Sequence, residues 1–458
     1  REVKLRRNPI IPLIIIALII GAAIVSSQGK TPGGSAKTPG TPLSAGSTAT
    51  PVTVADVPTD LPPPTETASP EPTATRQPIP PELQQQINTI EAQASRLRGL
   101  NPLVDVPETF LTRAQFREQF KREMQATISW DEVREYIQEL YLLRLVNDPS
   151  IDFYEVGTDL YSDAILGYYD HRSKQLFVIT DKLRLDGEAQ VTLAHEFVHS
   201  LQDQHYKLKK LWPTESTDWD KSMAVRSVVE GDATLSGYGW AGQYMSGQDF
   251  RSLFEGKQLS TEVKNKTPPY LGISTIFPYT AGMAFVAKIM GVGYFSTVNI
   301  ALQDPPRSTE QIMHPEKYTQ TPRDQPKAVT LPDLLPALGE PWQFKDSNTL
   351  GEFEFYEMLQ QNGASDPAKG ADGWGGAKFA YYKLEKEALV YAGTVWDTEE
   401  DAQQFYGAMY ESFAKLTKDG DYWTDPARSF WMRQDGKKVI FVSSTNRPAL
   451  DRVVSTLK

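Results

Sequence analysis

Two histidines four residues apart, with a glutamate directly after the first, constrain this chain more than any other feature: His195-Glu196-Phe197-Val198-His199. Four residues is about one helical turn, so on a helix both imidazoles project from one face. The preceding Val191-Thr192-Leu193-Ala194 reads as helix without a break, and Ala194, Phe197, Val198 and Leu201 supply its apolar stripe. Two rings so placed can grip one divalent metal, and Glu196 lies beside that ion but off its axis. A carboxylate there can hold and deprotonate a water on the metal. An ordinary amphipathic helix accounts for the stripe. It gives no reason for two of only five histidines to flank a glutamate.

The rest of the composition narrows the chemistry. The 458 residues leave room for two or three domains, and 40% hydrophobic residues with nine tryptophans can fill their cores. A formal charge of −11, with no basic stripe beyond the first residues, argues against a general nucleic-acid binder. There is no cysteine, so disulfides and thiolate metal sites are excluded and nitrogen and oxygen must hold the metal.

Residues 1–8 form a basic segment carrying Arg1, Lys4, Arg6 and Arg7. The uncharged apolar run 9–25 follows, at ~17 residues the short end for a membrane-spanning helix. It reads as a signal anchor, with the basic end in the cytoplasm and everything after it outside the membrane of a bacterial cell. Gly21-Ala22-Ala23 offers the competing reading, a cleavable signal. Residues 26–80 are largely Pro, Thr, Ser, Ala and Gly, a composition that favours a disordered stalk over a packed module.

The periodicity predicts helices over Glu82–Arg98, Arg113–Gln125 and Trp130–Leu145. Two short β-prone runs, Ala164–Tyr169 and Leu176–Ile179, flank Asp170–Lys174, which reads as a hairpin turn with His171 solvated at its tip. Beyond the metal helix, Ser222–Leu235 is helix-like and carries Glu230 among the small residues Ser227, Gly231, Ala233 and Thr234. A hairpin, a His-Glu-x-x-His helix and a second helix bearing a glutamate resemble the layout of the gluzincin (thermolysin-like) zinc peptidases. The resemblance is at the level of motifs and covers roughly residues 160–320. It implies zinc as the metal, Glu230 as third ligand after His195 and His199, Glu196 as general base, and the hairpin as an edge strand for an extended peptide.

His205 is the rival third ligand, since it stands where the metzincin pattern puts its last histidine. That pattern needs a glycine to break the helix, and Gln202 occupies the position. If the helix continues, His205 lies about 120° round from His199. Small neighbours let the Glu230 helix press close, and a surface glutamate or a salt bridge to Arg226 is the plain alternative. The acid that often buttresses a gluzincin ligand is displaced here: position 234 is Thr, the nearby acid is Asp232, and Asp203 could serve instead. Within Arg307–Tyr318, His314 or Tyr318 is the candidate donor to the oxyanion of a tetrahedral intermediate, a role the resemblance implies.

Residues 321–341 are proline-rich and read as a linker, and 342–458 as a small α+β domain with no visible catalytic constellation. Gly373-Trp374-Gly375-Gly376 lacks the lysine of a phosphate loop. The expected fold class is therefore α+β: a mainly helical, zincin-like metallopeptidase domain over 81–320 with an edge hairpin, then the C-terminal domain. The expected function is a membrane-tethered zinc peptidase acting on a peptide or protein substrate outside the cytoplasm. Two alternatives remain open at this point: a surface binding or scaffold protein with a structural zinc, and a zinc hydrolase of a non-peptide amide.

Overall fold

The computed structural model describes residues 80–458 except 128, 153–155, 159–164, 181–183, 212–217 and 254–265. The basic segment 1–8, the anchor 9–25 and all but the last residue of the stalk 26–80 lie outside the described residues, as does Ala164 of the first hairpin run. The protein is mixed α+β, a helix-rich region followed by a sheet-rich C-terminal region.

The helix-rich region opens with α1 (Pro81–Arg98), started by Pro81 at its first turn and ended by Gly99 in the left-handed conformation (φ 73°). Its stripe of Leu83, Ile87, Ile90 and Ala94 is buried against the helix that carries His195 and His199 and against Trp240. Next come β1 (Glu108–Leu111), α2 (Arg113–Thr127) and α3 (Trp130–Leu142), the last opened by a capping box between Ser129 and Glu132. The hairpin is β2 (Gly167–Asp170) and β3 (Gln175–Ile179), paired Tyr168 with Phe177, their rings stacked at 4.5 Å. β1 adds a third strand, parallel to β3, so the order is β1-β3-β2 and both β1 and β2 are outer strands.

Two long helices follow: α4 (Gly187–Tyr206), capped by Asp186, and α5 (Trp219–Tyr244), capped by Asp218. α5 lies between α4 and α6 (Pro269–Gly293). The α5–α6 approach is so close that a Cβ on Gly282 would sit 2.1 Å from the Ser227 carbonyl oxygen. One on Gly231 would sit 2.3 Å from the Gly282 carbonyl. Ser227 and Gly231 thus serve α6, not α4, which corrects the expectation that they bring α5 to the metal helix. On the α4 side Gly237 faces the Cβ of His195. Within α6, Pro269–Gly291 is long and apolar enough to cross a membrane, and 56% of its most apolar stretch is buried in the protein. Short helices α7 (Phe295–Gln303), α8 (Thr309–Met313) and α9 (Pro315–Thr319) complete the region.

The C-terminal region is a seven-stranded antiparallel sheet of β4 (Gln343–Thr349), β5 (Trp374–Leu384), β6 (Glu387–Trp396), β7 (Thr417–Asp419), β8 (Tyr422–Thr424), β9 (Ser429–Asp435) and β10 (Lys438–Ser444), in the order β4-β5-β6-β10-β9-β8-β7. Strand alternation sends Phe379 and Tyr381 to one face, where α10 (Glu352–Gln361) and α11 (Glu399–Ser412) pack. It sends Ala380 and Tyr382 to the other face, under α12 (Arg447–Leu457). The first face has a second covering. Its core is continuous with that of the helical region, with Trp219 5.2 Å from Phe379 and Phe277 4.2 Å from Phe353 between ring centres.

Candidate metal centre

α4 and α5 bring three side chains to one point. His195 Nε2 is 2.8 Å from His199 Nε2, and Glu230 Oε2 is 3.2 Å from the latter and 3.4 Å from the former. Tetrahedral ligands about 2.0–2.1 Å from a zinc ion stand ~3.3 Å apart. The three atoms therefore form one face of such a tetrahedron with little adjustment, and the donor set of two imidazoles and a carboxylate is one that zinc takes. The rings are 4.5 Å apart and nearly perpendicular, at 77°, with both on the face that a helical spacing of four dictates. His195 and Glu230 are almost wholly buried.

Glu196 is 2% exposed and its Oε2 accepts a 2.8 Å hydrogen bond from the Tyr169 amide on β2, which ties α4 to that outer strand. Burial pushes its carboxyl up to about 8. Burial, and then the neighbouring His199, hold His195 well below the ordinary imidazole range. For His199 burial opposes the charge, but the Glu230 carboxylate outweighs it and raises the ring. Burial likewise disfavours the Glu230 carboxylate, and His199, His195 and Arg226 hold it below the usual range.

Glu230 is shared. Its Oε2 faces the imidazoles, while Oε1 is 3.8 Å from Nε of Arg226, one turn earlier on α5. The Arg226 guanidinium stands 5.8 Å from the ring centre of Tyr279 on α6, and that ring lies 6.2 Å from His195 in a stacked arrangement. Glu230 thus turns one oxygen to the imidazole pair and the other to Arg226, the partner that the salt-bridge alternative named.

The other sequence candidates lie elsewhere. α4 continues unbroken to Tyr206, and His205 bonds the Asn101 carbonyl at 2.8 Å, away from the imidazole pair. Asp203 accepts from the Tyr169 hydroxyl at 2.9 Å and pairs with Lys174, so it braces the hairpin instead of His199. His199 Nδ1 is met by Gln202 Oε1 at 2.8 Å, at the position where a metzincin would have its glycine. His314 bonds Glu352 at 2.8 Å, and the Tyr318 hydroxyl donates to the Asp304 carbonyl at 2.9 Å. His314 belongs to the junction with the C-terminal region and Tyr318 packs on Phe285 of α6, and the structure does not bring either to the four residues of the centre. Gln202 and Tyr279 were missed as site residues, while Arg226 was named only as the alternative partner of Glu230. Of the two missed, only Gln202 left a signal in the sequence, a polar residue one turn after His199 on a buried helix.

The fold and centre thus define an α+β protein with a buried two-histidine, one-carboxylate cluster and a glutamate beside it. Residues 341–454, essentially the seven-stranded region, match a family described as a domain of unknown function (DUF8575). No curated protein and no solved structure matches the chain.

Proposed function

We propose that the chain is a zinc-dependent peptidase of gluzincin type, tethered by residues 9–25 and acting outside the cytoplasm. The observation that carries this reading is the convergence of His195, His199 and Glu230 within 3.4 Å, with Glu196 beside them and bound to a different partner. Three protein ligands leave a position open, as catalytic zinc sites do. Bound there, the ion supplies Lewis acidity, polarising a carbonyl and acidifying water. Glu196 takes a proton from the attacking water and passes it to the leaving amine. The Tyr169 amide holds that carboxylate in place from β2. An extended peptide added along β2 would meet an amide already engaged, so substrate binding and the position of Glu196 are linked.

One observation favours a structural ion in a surface scaffold: His195, Glu196 and Glu230 are only 1%, 2% and 4% exposed, and Tyr279 closes over the first. A single pair of measurements separates the two. Glu196→Gln should retain zinc and lose cleavage of casein or a quenched peptide library, which a chelator should also abolish in the wild-type protein. Undiminished turnover by that variant rules the mechanism out, and absence of cleavage by zinc-loaded wild type favours the scaffold.

A further inference from the structure

Gln202 has two hydrogen-bonding ends in different surroundings. One end lies 2.8 Å from His199 Nδ1. The other lies 3.0 Å from the Val229 carbonyl oxygen and 2.8 Å from Asp232 Oδ2. Both of those groups only accept, so that end must be the NH2 group, which donates to each. The end facing His199 is then the carbonyl oxygen, which only accepts. His199 must answer with a proton on Nδ1, and the nitrogen left to carry a lone pair is Nε2, the one that faces His195 and Glu230.

The orientation of the amide is itself held. Asp232 Oδ1 accepts from Nε of Arg98 at 2.7 Å, with both side chains fully buried. Arg98 Nη2 donates to Asn299 at 2.8 Å, and its guanidinium lies over the Phe295 ring at 4.5 Å. Arg98 is always charged and only donates. Asp232 therefore presents acceptors on both sides, and Gln202 can turn only one way.

We infer that Arg98, Asp232 and Gln202 form a positioning relay, running from α1 through α5 to α4, that fixes the proton of His199 on Nδ1 and offers Nε2 to a metal. The inference rests on the metal reading above. It gives Asp232 a function that its sequence position, two residues past the ligand glutamate, had not suggested. It also makes α1, the first helix after the stalk segment, part of the metal centre.

The test uses the full chain, zinc competition against a chromophoric chelator, and 15N shifts of the histidine rings in metal-free protein at alkaline pH, above the raised His199 value, where the ring is neutral and its tautomer can be read. Gln202→Met keeps the Arg98–Asp232 pair and the side-chain volume. Asp232→Asn must turn its oxygen to Arg98 and its NH2 to Gln202, which sets two NH2 groups against each other and favours the reversed amide against the Val229 carbonyl alone. Both variants should bind zinc about 10–100-fold more weakly, the range for lost outer partners of ligands. In Asp232→Asn the Nδ1 resonance of His199 should move from that of a protonated nitrogen to that of a lone pair. A purely structural role would lower the melting temperature and leave that resonance in place. If both variants fold, bind zinc as the wild type does and keep a protonated Nδ1, the relay is wrong and the metal reading stands. If the wild-type protein binds no zinc, the metal reading fails, and the Nδ1 resonance in Asp232→Asn still decides the relay.

Discussion

At the residue scale the centre is governed by how few groups share a dry space. Buried charges persist only when paired, and here each has a partner: Glu230 with His199 and Arg226, Asp232 with Arg98. Glu230→Ala should cost more zinc affinity than any outer-partner change, ~100-fold or greater. His205→Gln, a change at a residue bonded to Asn101, should leave affinity unaltered. Chelator titration reads both, and equal losses would return His205 to contention. His314 offers a pH test away from the His195–His199 pair. The Glu352 carboxylate, assisted by Asp372 and opposed by burial and Lys317, raises the ring above its ordinary value, with Glu316 also at 3.8 Å. A raised histidine stabilises the fold fully below the unfolded value of about 6.5 and loses that contribution as pH rises through the folded value. The stability gap between wild type and His314→Gln should therefore be largest near pH ~6 and shrink above it, so long as Glu352 stays ionised. A gap that grows toward alkaline pH in urea titrations would contradict the pair. The cluster of His195, Glu196, His199 and Glu230 was legible because helical spacing puts the first three in register and the gluzincin resemblance pointed to the fourth. Tyr279 was not, since its place depends on how α5 and α6 meet, whereas the spacing of four on α5 had already offered Arg226 as a partner of Glu230.

At the element scale the centre depends on α5 being held between two neighbours. The α5–α6 contact at Ser227, Gly231 and Gly282 has no space for a methyl group. Gly282→Ala should cost at least ~1–3 kcal/mol from overpacking, read as a shift in urea midpoint. It should also weaken zinc binding, because α5 carries Glu230 one turn from the displaced Ser227. An unchanged midpoint would mean that the helices separate freely. The hairpin was readable from two β-prone runs and a polar turn, and it forms one register as expected. β1 was not, because four residues of mixed polarity carry almost no period-two signal and only the parallel partner β3 makes them a strand. Of the small residues on α5, Ser227 and Gly231 mark a close contact that was assigned to the wrong neighbour. Spacing identifies a close contact without saying which helix fills it.

At the scale of the whole molecule the two regions share one apolar core. The proline-rich stretch that reads as a linker lies along the sheet, with the Lys327 amide donating to the Gly375 carbonyl at 2.6 Å. Asp220 accepts from the backbone and hydroxyl of Thr309, and Trp219 donates to Asn348, so the first turn of α5 is fixed by the junction. Arg144 reaches from the end of α3 to Asn362 and the Ser412 carbonyl, over the rings of Phe413 and Phe430. A shared core predicts one calorimetric unfolding transition for the described region, and a chain ending at residue 340 that neither folds nor binds zinc. Two separate transitions would show independent units. None of this was visible in the sequence, where proline content marks a boundary equally well whether the segment hangs free or packs. The most direct test of the central claim is X-ray absorption on protein prepared without chelators. It should show one zinc per chain, bound by two imidazole nitrogens and carboxylate oxygen and losing an oxygen ligand in Glu230→Ala. No bound zinc, or a coordination shell unchanged in that variant, would contradict the account.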